Sequence, residues 1–337
     1  MRHQYTPEQE ELIWNLHRQG YTSTQIAKAL GPTFTSAAIR NKIQRIRFKK
    51  ATEGDTEPAT DLTTLRNRIK ELEAENEKLR VQLERLMHSR RIQTAVHKYQ
   101  GEWIRFGVVS DTHLGSSYAA LDHLQLAYRL FKQEGIEVVY HVGDLLDGEK
   151  IYRGQEYDLL VHGAEAQIQY CVEHYPRLKG ITTYFILGNH DMSFWKQAGV
   201  DVGVRIEQLR DDMKYLGMEH ADIKVENENG QAWIQLVHPR RGTAYSLSYH
   251  PQKYIEALPG GRKPNLILWG HNHKAEFLFY RNVHLIQAGC LQHQTPYMRG
   301  KNIAAIMGFW IVGIKVDEKG IIACRPQFYP IYEEPLE

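Results

Sequence analysis

Side chains that could bind metal ions or transfer protons follow five apolar stretches of the chain. At each place a run of strand-forming residues stops, and carboxylate, amide or imidazole groups come next. Because the carboxyl ends of strands in α/β proteins commonly hold ligands, we expect these groups to share one site. They are Asp111 and His113, Asp144, Asn189 with His190 and Asp191, His238, and finally His271 and His273.

In chain order these residues form five motifs: D-x-H, G-D, G-N-H-D, a single H, and G-H-x-H. This series resembles the calcineurin-like metallophosphoesterases, and the resemblance covers about residues 103–330. The segments Asp111–Gly115 and Gly143–Asp147 are most similar to the DNA-repair nuclease branch of that family, the SbcD type. The resemblance implies an α/β fold in which two sheets pack face to face with helices outside them.

The resemblance also implies a centre for two divalent metal ions, bridged by Asp144. Hard carboxylate and amide oxygens together with imidazole favour manganese, iron or zinc over calcium or magnesium, and we expect manganese first. By motif position, one ion would be held by Asp111, His113 and His273, and the other by Asn189, His238 and His271.

Two further residues of the G-N-H-D motif are expected to be catalytic. In the family that this chain resembles, the position of His190 contacts the phosphate and helps the leaving group, and Asp191 would orient and charge its imidazole. A purely structural role is the alternative for His190. Among the ligands, His238 rests on a motif of one residue, so His220 and His250 are its competitors.

Several residues near the motifs have more than one interpretation. Asp147 fits a G-D-x-x-D motif, but capping of a helix would explain it equally well. Tyr118, Tyr152, Arg153, Arg240 and Arg241 could hold a phosphodiester or be ordinary surface. The histidines outside the motifs are expected to be structural: His141, His162, His174, His284 and His293.

The elements that must position this site fall within residues 93–337. Strands and helices alternate from Trp103 onward, with helices predicted over 121–133 and 164–174 and strands beginning at Ile136 and Ile181. After Gly217 the pattern changes to strands joined by tight turns at 228–230 and 318–320. This order agrees with a two-sheet α/β sandwich.

Residues 1–50 form a basic segment with nine Lys and Arg against three Glu, although the whole chain has a net charge of only +2. Helices are predicted from Pro7, over Ser23–Leu30, and from Ser36 to about Phe48. This pattern is typical of a helix-turn-helix domain whose third helix enters the major groove of DNA. A small helical protein-interaction module is the alternative. The predicted DNA-contacting residues are Arg40, Asn41, Lys42, Gln44, Arg45 and Arg47.

Residues 51–60 have the composition of a flexible linker, and residues 61–92 show a heptad repeat. The apolar positions of the repeat form a seam along one side of the predicted helix, and Asn76 lies within this seam. The charged residues that flank the seam have opposite signs between neighbouring heptads. Both features favour a parallel homodimer through residues 61–90. A single helix folded onto the catalytic domain is the alternative. Residues 88–98 are expected to continue the helix as a basic connector. The seam positions are Leu62, Leu65, Ile69, Leu72, Asn76, Leu79, Leu83 and Leu86.

The 337 residues are enough for about two domains. We expect a soluble cytoplasmic protein, because no membrane span or signal peptide is evident and the three cysteines suggest free thiols in a reducing compartment. The expected activity is metal-dependent hydrolysis of phosphodiesters in DNA. The alternatives are a phosphodiesterase for a small nucleotide with a DNA-binding regulatory head, and a DNA-binding regulator in which hydrolysis is secondary.

Overall fold

The structure is a computed structural model that describes residues 5–52, 66–79, 95–240, 242, 244–261 and 263–332. Contacts divide the chain into two compact units, Met1–Gln82 and Leu83–Glu337. No helix in the described parts of the chain is both long and apolar enough to cross a membrane.

The first unit begins with three helices: α1 (Pro7–Arg18), α2 (Ser23–Leu30) and α3 (Ser36–Thr52). Thr6 and Thr22 cap α1 and α2, each in a reciprocal pair with a glutamine three residues later. The helices bury one apolar cluster that includes Ile13, Ile26, Ile39 and Ile43. The third helix runs to Thr52, two residues into the predicted linker.

Residues 66–79 form α4, which covers the central part of the predicted coiled coil. The flanking residues 61–65 and 80–92, and most of the linker, lie outside the described residues. All four seam positions within α4 face solvent in the single chain, and Ile69, Leu72 and Leu79 are 54%, 43% and 56% exposed. An apolar seam of this kind has no cover within the described chain.

The second unit contains two six-stranded mixed sheets. Their strands are β1 (Ala95–Lys98), β2 (Ile104–Val109), β3 (Val138–Val142), β4 (Thr182–Leu187), β5 (Met213–Met218), β6 (His220–Asn227), β7 (Gly230–Val237), β8 (Leu266–Trp269), β9 (Ala275–Tyr280), β10 (Val283–Ala288), β11 (Gly308–Asp317) and β12 (Gly320–Pro330). The strand orders are β12-β11-β2-β3-β4-β5 in one sheet and β1-β6-β7-β8-β10-β9 in the other. Residues 95–98 form a strand in parallel with β6, so the expectation that they continue a connector helix is wrong. His97 on this strand is buried against Tyr140, which gives the segment a place in the core.

Alternate residues of these strands face different apolar layers. Val108 packs between the two sheets, whereas the next residue, Val109, packs against helices on the outer face of its sheet. Ile255 covers the outer face of the other sheet. The helices are α5 (Leu121–Gln133), α6 (Ala164–His174), α7 (Met192–Ala198), α8 (Val202–Leu209), α9 (Tyr249–Ala257) and α10 (Pro296–Gly300), with a 3-10 turn at Gln155–Tyr157.

Candidate metal centre

The predicted ligands come from loops that follow parallel strands. Strands β2, β3 and β4 run parallel in one sheet, and β7 and β8 run parallel in the other, so their carboxyl ends deliver the motifs to adjoining edges. The two sheets are joined here by the backbone N–H of His271, which donates to both carboxylate oxygens of Asp111, at 3.1 and 3.0 Å. The motifs of different sheets thus meet in one place.

Asp111, His113 and His273 form the first group of donor atoms, and all three side chains are buried. His273 Nε2 lies 3.3 Å from Asp111 Oδ1 and 3.3 Å from His113 Nε2. One ligand atom from each of the three residues lies within 4.8 Å of the others, so a single metal ion could contact all three. The resemblance assigned the same three residues to one metal ion.

Asp144, His238 and His271 form the second group. His238 Nε2 lies 3.1 Å from Asp144 Oδ2, and that same oxygen is 4.0 Å from His113 Nε2 of the first group. Asp144 therefore lies between the two groups, where a bridging ligand would be. Asn189 lines the cavity shared by Asp144, His271 and His273.

Two donor atoms of this centre are buried without a hydrogen-bond partner among the described residues: Asn189 Oδ1 and His238 Nε2. A buried polar atom that makes no hydrogen bond costs about 1–3 kcal/mol, so a ligand that these atoms could bind would compensate the cost. His238 Nδ1 donates to the carbonyl of Val142 at 2.7 Å, so Nε2, on the side of Asp144, is the ring nitrogen left for a metal ion. These atoms fit a centre that binds metal ions.

Five predicted ligands have backbone φ angles between 47° and 75°, a region that residues other than glycine seldom occupy. Such strain is common at functional sites, where the surrounding structure holds it in place. Gly188 allows a close approach, since a Cβ there would overlap the carboxylate of Asp144. The strained residues are Asp111, His113, Asp144, His271 and His273.

Burial and charge divide the histidines of the centre into two kinds. Burial lowers the pKa of His113, and it lowers that of His271 to about 4, so both imidazoles are neutral and can ligate a metal. Burial also opposes the charged forms of His190 and His238. There the charge of Asp144 and hydrogen bonds outweigh it and raise each pKa to about 9.

Comparison with known proteins agrees with this geometry. The family model described as calcineurin-like phosphoesterase matches residues 104–275, about half of the chain. The chain belongs to this family. The phosphoesterase domain predicted over residues 93–337 contains the whole matched range.

Curated relatives of the chain include the DNA polymerase II small subunits of Halobacterium salinarum and Archaeoglobus fulgidus. The first is 25% identical over 238 residues, which is 60% of this chain and 46% of that protein. The second is 24% identical over 265 residues, which is 66% of this chain and 52% of that protein. The chain thus spans about half the length of these relatives.

Among solved structures, a novel archaeal phosphodiesterase has 17% identity and a TM-score of 0.36, over 67% of this chain and all of that one. The phosphoesterase Yfce from E. coli has 15% identity and a TM-score of 0.35, over 66% of this chain and 98% of that one.

The structure corrects the expected partner of His190. We predicted that Asp191 orients this imidazole, but the Asp191 carboxylate accepts the backbone N–H groups of Gly188, Leu145 and Leu146, at 2.8, 3.1 and 2.7 Å. Asp191 therefore ties the G-D loop to the G-N-H-D loop. His190 Nδ1 instead donates to the backbone carbonyl of Asp147 at 2.6 Å.

Asp147 is not a helix cap, because no helix begins at this residue in the described phosphoesterase domain. Its buried carboxylate accepts Nδ1–H of His113 at 3.0 Å and lies 3.6 Å from Nδ1 of His190. Gln155 donates to the other carboxylate oxygen at 3.0 Å. Asp147 thereby holds one candidate ligand and one candidate catalytic histidine, a role that the sequence had left undecided.

The remaining histidines lie outside the two donor groups. Neither competitor of His238 joins them: His220 begins β6 on the surface and His250 lies in α9. His141 is buried with Nε2 3.0 Å from the Thr112 hydroxyl, and His284 contacts the rings of two phenylalanines. His293 belongs to a separate surface group with Asp122 and His123.

A cavity of about 320 Å³ adjoins the centre and includes residues that sequence patterns did not indicate. Tyr152 and Arg240, two of the uncertain substrate residues, line it. Tyr297 and Met298 of α10 also line it, but a five-residue helix far along the chain gives no signal that would have linked them to the motifs.

Five of the six predicted DNA-contacting residues in α3 are exposed. Lys42 is the exception: it is 18% exposed, forms an ion pair with Glu10 of α1, and lies 4.9 Å from the centre of the Tyr5 ring. We therefore assign Lys42 to the packing of the three helices. The exposed residues are Arg40, Asn41, Gln44, Arg45 and Arg47.

Proposed function

We propose that the chain is a metal-dependent phosphodiesterase that acts on DNA, brought to DNA by a helix-turn-helix head and dimerised by a coiled coil. The observation that supports hydrolysis most directly is the position of Asp144 between two groups of donor atoms, 3.1 Å from His238 and 4.0 Å from His113. This is the arrangement needed to hold two divalent cations near each other.

The donor set fits manganese, and iron or zinc would suit the same atoms. One ion would be held by Asp111, His113 and His273. The other would be held by Asn189, His238 and His271, and Asp144 would bind both ions. Bound ions of this kind supply activation of water and neutralisation of phosphoryl oxygens. The protein residues fix where the phosphate lies and which groups surround it.

His190 is suited to stabilise the phosphate and to protonate the leaving oxygen. Its imidazole lines the cavity, and its Nδ1 lies 3.6 Å from the carboxylate of Asp147, whose charge favours the protonated ring. With Nδ1–H given to the carbonyl of Asp147, the Nε2–H is the group left for the substrate. The backbone carbonyl of Asp147 also fixes the orientation of the ring.

DNA is the substrate class that the relatives and the head support together. The curated relatives are small subunits of a DNA polymerase. The head has a net positive charge and presents Arg45, Asn41 and Gln44 on one exposed face of α3. Arginine, asparagine and glutamine are the side chains that pair most often with base edges in the major groove.

The solvent-facing seam of α4 supports dimerisation. Leu72 and Leu79 are exposed in the single chain, and a second copy aligned in parallel would cover them and pair Asn76 with its own copy. Each chain would then bring one head and one phosphoesterase domain to the dimer.

The decisive experiment compares Asp144→Asn with wild type in the presence of manganese, on plasmid, single-stranded oligonucleotide and cyclic nucleotide. Asparagine is the suitable replacement because Asp144 has φ 51°, which asparagine tolerates. Hydrolysis should be abolished, since a neutral side chain cannot hold two cations at close range. Asp201→Asn, at the cap of α8, is the matched control.

The three substrates separate the candidate functions. Cleavage of the DNA substrates supports the proposal, and cleavage of cyclic nucleotide alone would replace it with the small-nucleotide alternative. Duplex binding without hydrolysis of any substrate would indicate a DNA-binding regulator. An Asp144→Asn protein as active as wild type would contradict the two-metal centre.

The head is tested separately by Arg45→Ala and by deletion of residues 1–50. Both should weaken binding to duplex DNA and reduce its salt dependence, by roughly 0.9 log units per log unit of salt for each phosphate that the protein no longer neutralises. Arg205→Ala, an exposed arginine of α8 in the phosphoesterase domain, is the control. Undiminished affinity after the deletion would place DNA binding elsewhere.

A further inference from the structure

The cavity beside the metal centre has a second part with a different chemistry. Next to the histidines and Asp144, its lining continues through apolar and aromatic side chains from the loop after β3 and from the region of α10. Hydrolysis at a phosphate does not by itself need an apolar surface, so this part of the cavity is available to another portion of a substrate. The residues are Ile151, Tyr152, Tyr297, Met298 and Ile303.

The aromatic part of this lining is built from two distant segments. The rings of Tyr152 and Tyr297 are stacked, with centroids 4.3 Å apart and planes 19° from parallel. Tyr152 is anchored by its hydroxyl, which donates to Asp158 Oδ2 at 3.1 Å. Tyr297 is placed by α10, whose first turn is capped by Thr295 at 3.2 Å from the Met298 N–H.

Tyr297 retains surface for a ligand. It is 41% exposed although it stacks on Tyr152 and lines the cavity. Nearby, Met298 is nearly buried, and the backbone N–H of Ile303 donates to its carbonyl at 2.9 Å, which fixes the apolar floor. An exposed ring on a supported apolar floor is a stacking platform for a planar group.

The size and charge of the cavity restrict that group. Its volume of about 320 Å³ is at the small end of ligand pockets, which run from roughly 300 to 1,000 Å³, and suits one nucleotide rather than several. Arg240 also lines the cavity, where its Nε–H donates a hydrogen bond to Glu219. Its positive charge therefore lies in the same cavity as the metal-binding residues, where a phosphate would bind. A nucleotide presents both a phosphate and a planar base.

We propose that Tyr297, backed by Tyr152, stacks against the base of the nucleotide whose phosphate lies at the metal centre. This inference rests on the proposed phosphodiesterase function and makes it more specific: the enzyme recognises one nucleotide unit at the scissile phosphate. Base–aromatic stacking accepts every base, so the platform would select nucleotides over other phosphodiesters without selecting a sequence.

The test measures binding rather than turnover. Calorimetry on the full-length manganese-loaded protein gives the Kd of deoxyadenosine 5′-monophosphate and of deoxyribose 5-phosphate. The ratio of the Kd of deoxyribose 5-phosphate to the Kd of deoxyadenosine 5′-monophosphate measures the contribution of the base, because both compounds carry the same phosphate and sugar. Wild type should favour the nucleotide by roughly 5- to 150-fold, the range expected for one stacked base.

In Tyr297→Ala this ratio should fall close to one, and in Tyr297→Phe, which keeps the ring, it should remain near that of wild type. Tyr297→Leu keeps apolar bulk without the ring and should lose most of the ratio. Tyr157→Ala is the matched control, because Tyr157 is 86% exposed and does not line the cavity. A melting curve of each variant shows that it is folded.

A wild-type ratio near one, or a ratio that Tyr297→Ala leaves unchanged, would overturn the inference. Hydrolysis of methyl p-nitrophenyl phosphate, which has no base, tests the proposed function independently. If the protein hydrolyses this ester but the ratio of the two Kd values is near one, the stacking role of Tyr297 is excluded and the proposed phosphodiesterase activity stands. If the ratio depends on Tyr297 but the protein hydrolyses no phosphodiester, the proposed activity is excluded and the cavity is a nucleotide-binding site.

Discussion

Nδ1 of His113 lies 3.0 Å from Oδ1 of Asp147, and both side chains are buried. The carboxylate can accept only from Nδ1–H, so it fixes the tautomer that leaves Nε2 of His113 free to bind a metal. A carboxylate behind a histidine ligand also makes that ligand more basic. This pair shows how a residue outside the predicted ligand set prepares one within it.

Asp147→Asn should weaken metal binding by about 10- to 100-fold, the usual effect of losing a residue that supports a ligand. The cause is loss of the negative charge behind His113 and near His190. Titration with manganese, followed by calorimetry, measures the affinity, and Asp201→Asn is again the control. Unchanged affinity would show that Asp147 only packs the loop.

Gly188→Ala should remove both metal binding and hydrolysis. An added Cβ would overlap Oδ1 of Asp144 and lie 2.6 Å from Nε2 of His238, so the carboxylate between the two donor groups would have to move. Gly260→Ala is the matched control, because nothing lies within 4 Å of a Cβ there. The measurements are metal content and activity of the folded variants. An active Gly188→Ala enzyme would contradict the assigned position of Asp144.

Leu72→Asn should shift the protein from dimer to monomer, because a polar group in the apolar seam removes buried area and adds an unpaired amide. Lys70→Asn, which changes a residue outside the seam, should leave the dimer intact. Asn76→Leu should strengthen association and admit higher oligomers. Light scattering at micromolar concentration decides between these outcomes, and a monomeric wild type would exclude the coiled-coil dimer.

The stability of the phosphoesterase domain should depend on pH through His97. Its Nδ1 lies 2.7 Å from the Tyr140 hydroxyl, its Nε2 has no hydrogen-bond partner among the described residues, and burial lowers its pKa from 6.5 to about 4. The unfolded chain therefore takes up this proton at a higher pH than the folded chain does. The free energy of unfolding should fall as the pH drops from 6.5 toward 4 and be fully restored above 6.5.

The contribution of His97 to this pH dependence is at most about 3.5 kcal/mol, at ~1.4 kcal/mol for each pKa unit. Urea unfolding at about pH 7 and about pH 5 should show a smaller difference for His97→Gln than for wild type. His174→Gln, on the exposed end of α6, is the control. An equal difference in all three proteins would exclude His97 as the cause.

The elements that position the centre were predictable because their signals are local. The helices over 121–133 and 164–174 and the strands around them agree with the observed α5, α6, β3 and β4. Turn residues placed the hairpins between β6 and β7 and between β11 and β12. Hydrophobic periods and turn chemistry act over a few residues, so they are visible without the fold.

What the sequence determined by itself was the set of groups available for chemistry and their delivery to one edge of the sheets. The tertiary structure alone decided which group supports which. Asp191 bonds three backbone N–H groups, Asp147 supports two histidines, Lys42 is taken up by Glu10, and Tyr297 stacks on Tyr152. The physical reason is that all of these contacts except that of Asp191 with Gly188 join segments at least 30 residues apart in the chain, brought within bonding distance by tertiary packing, for which no residue spacing provides a signal.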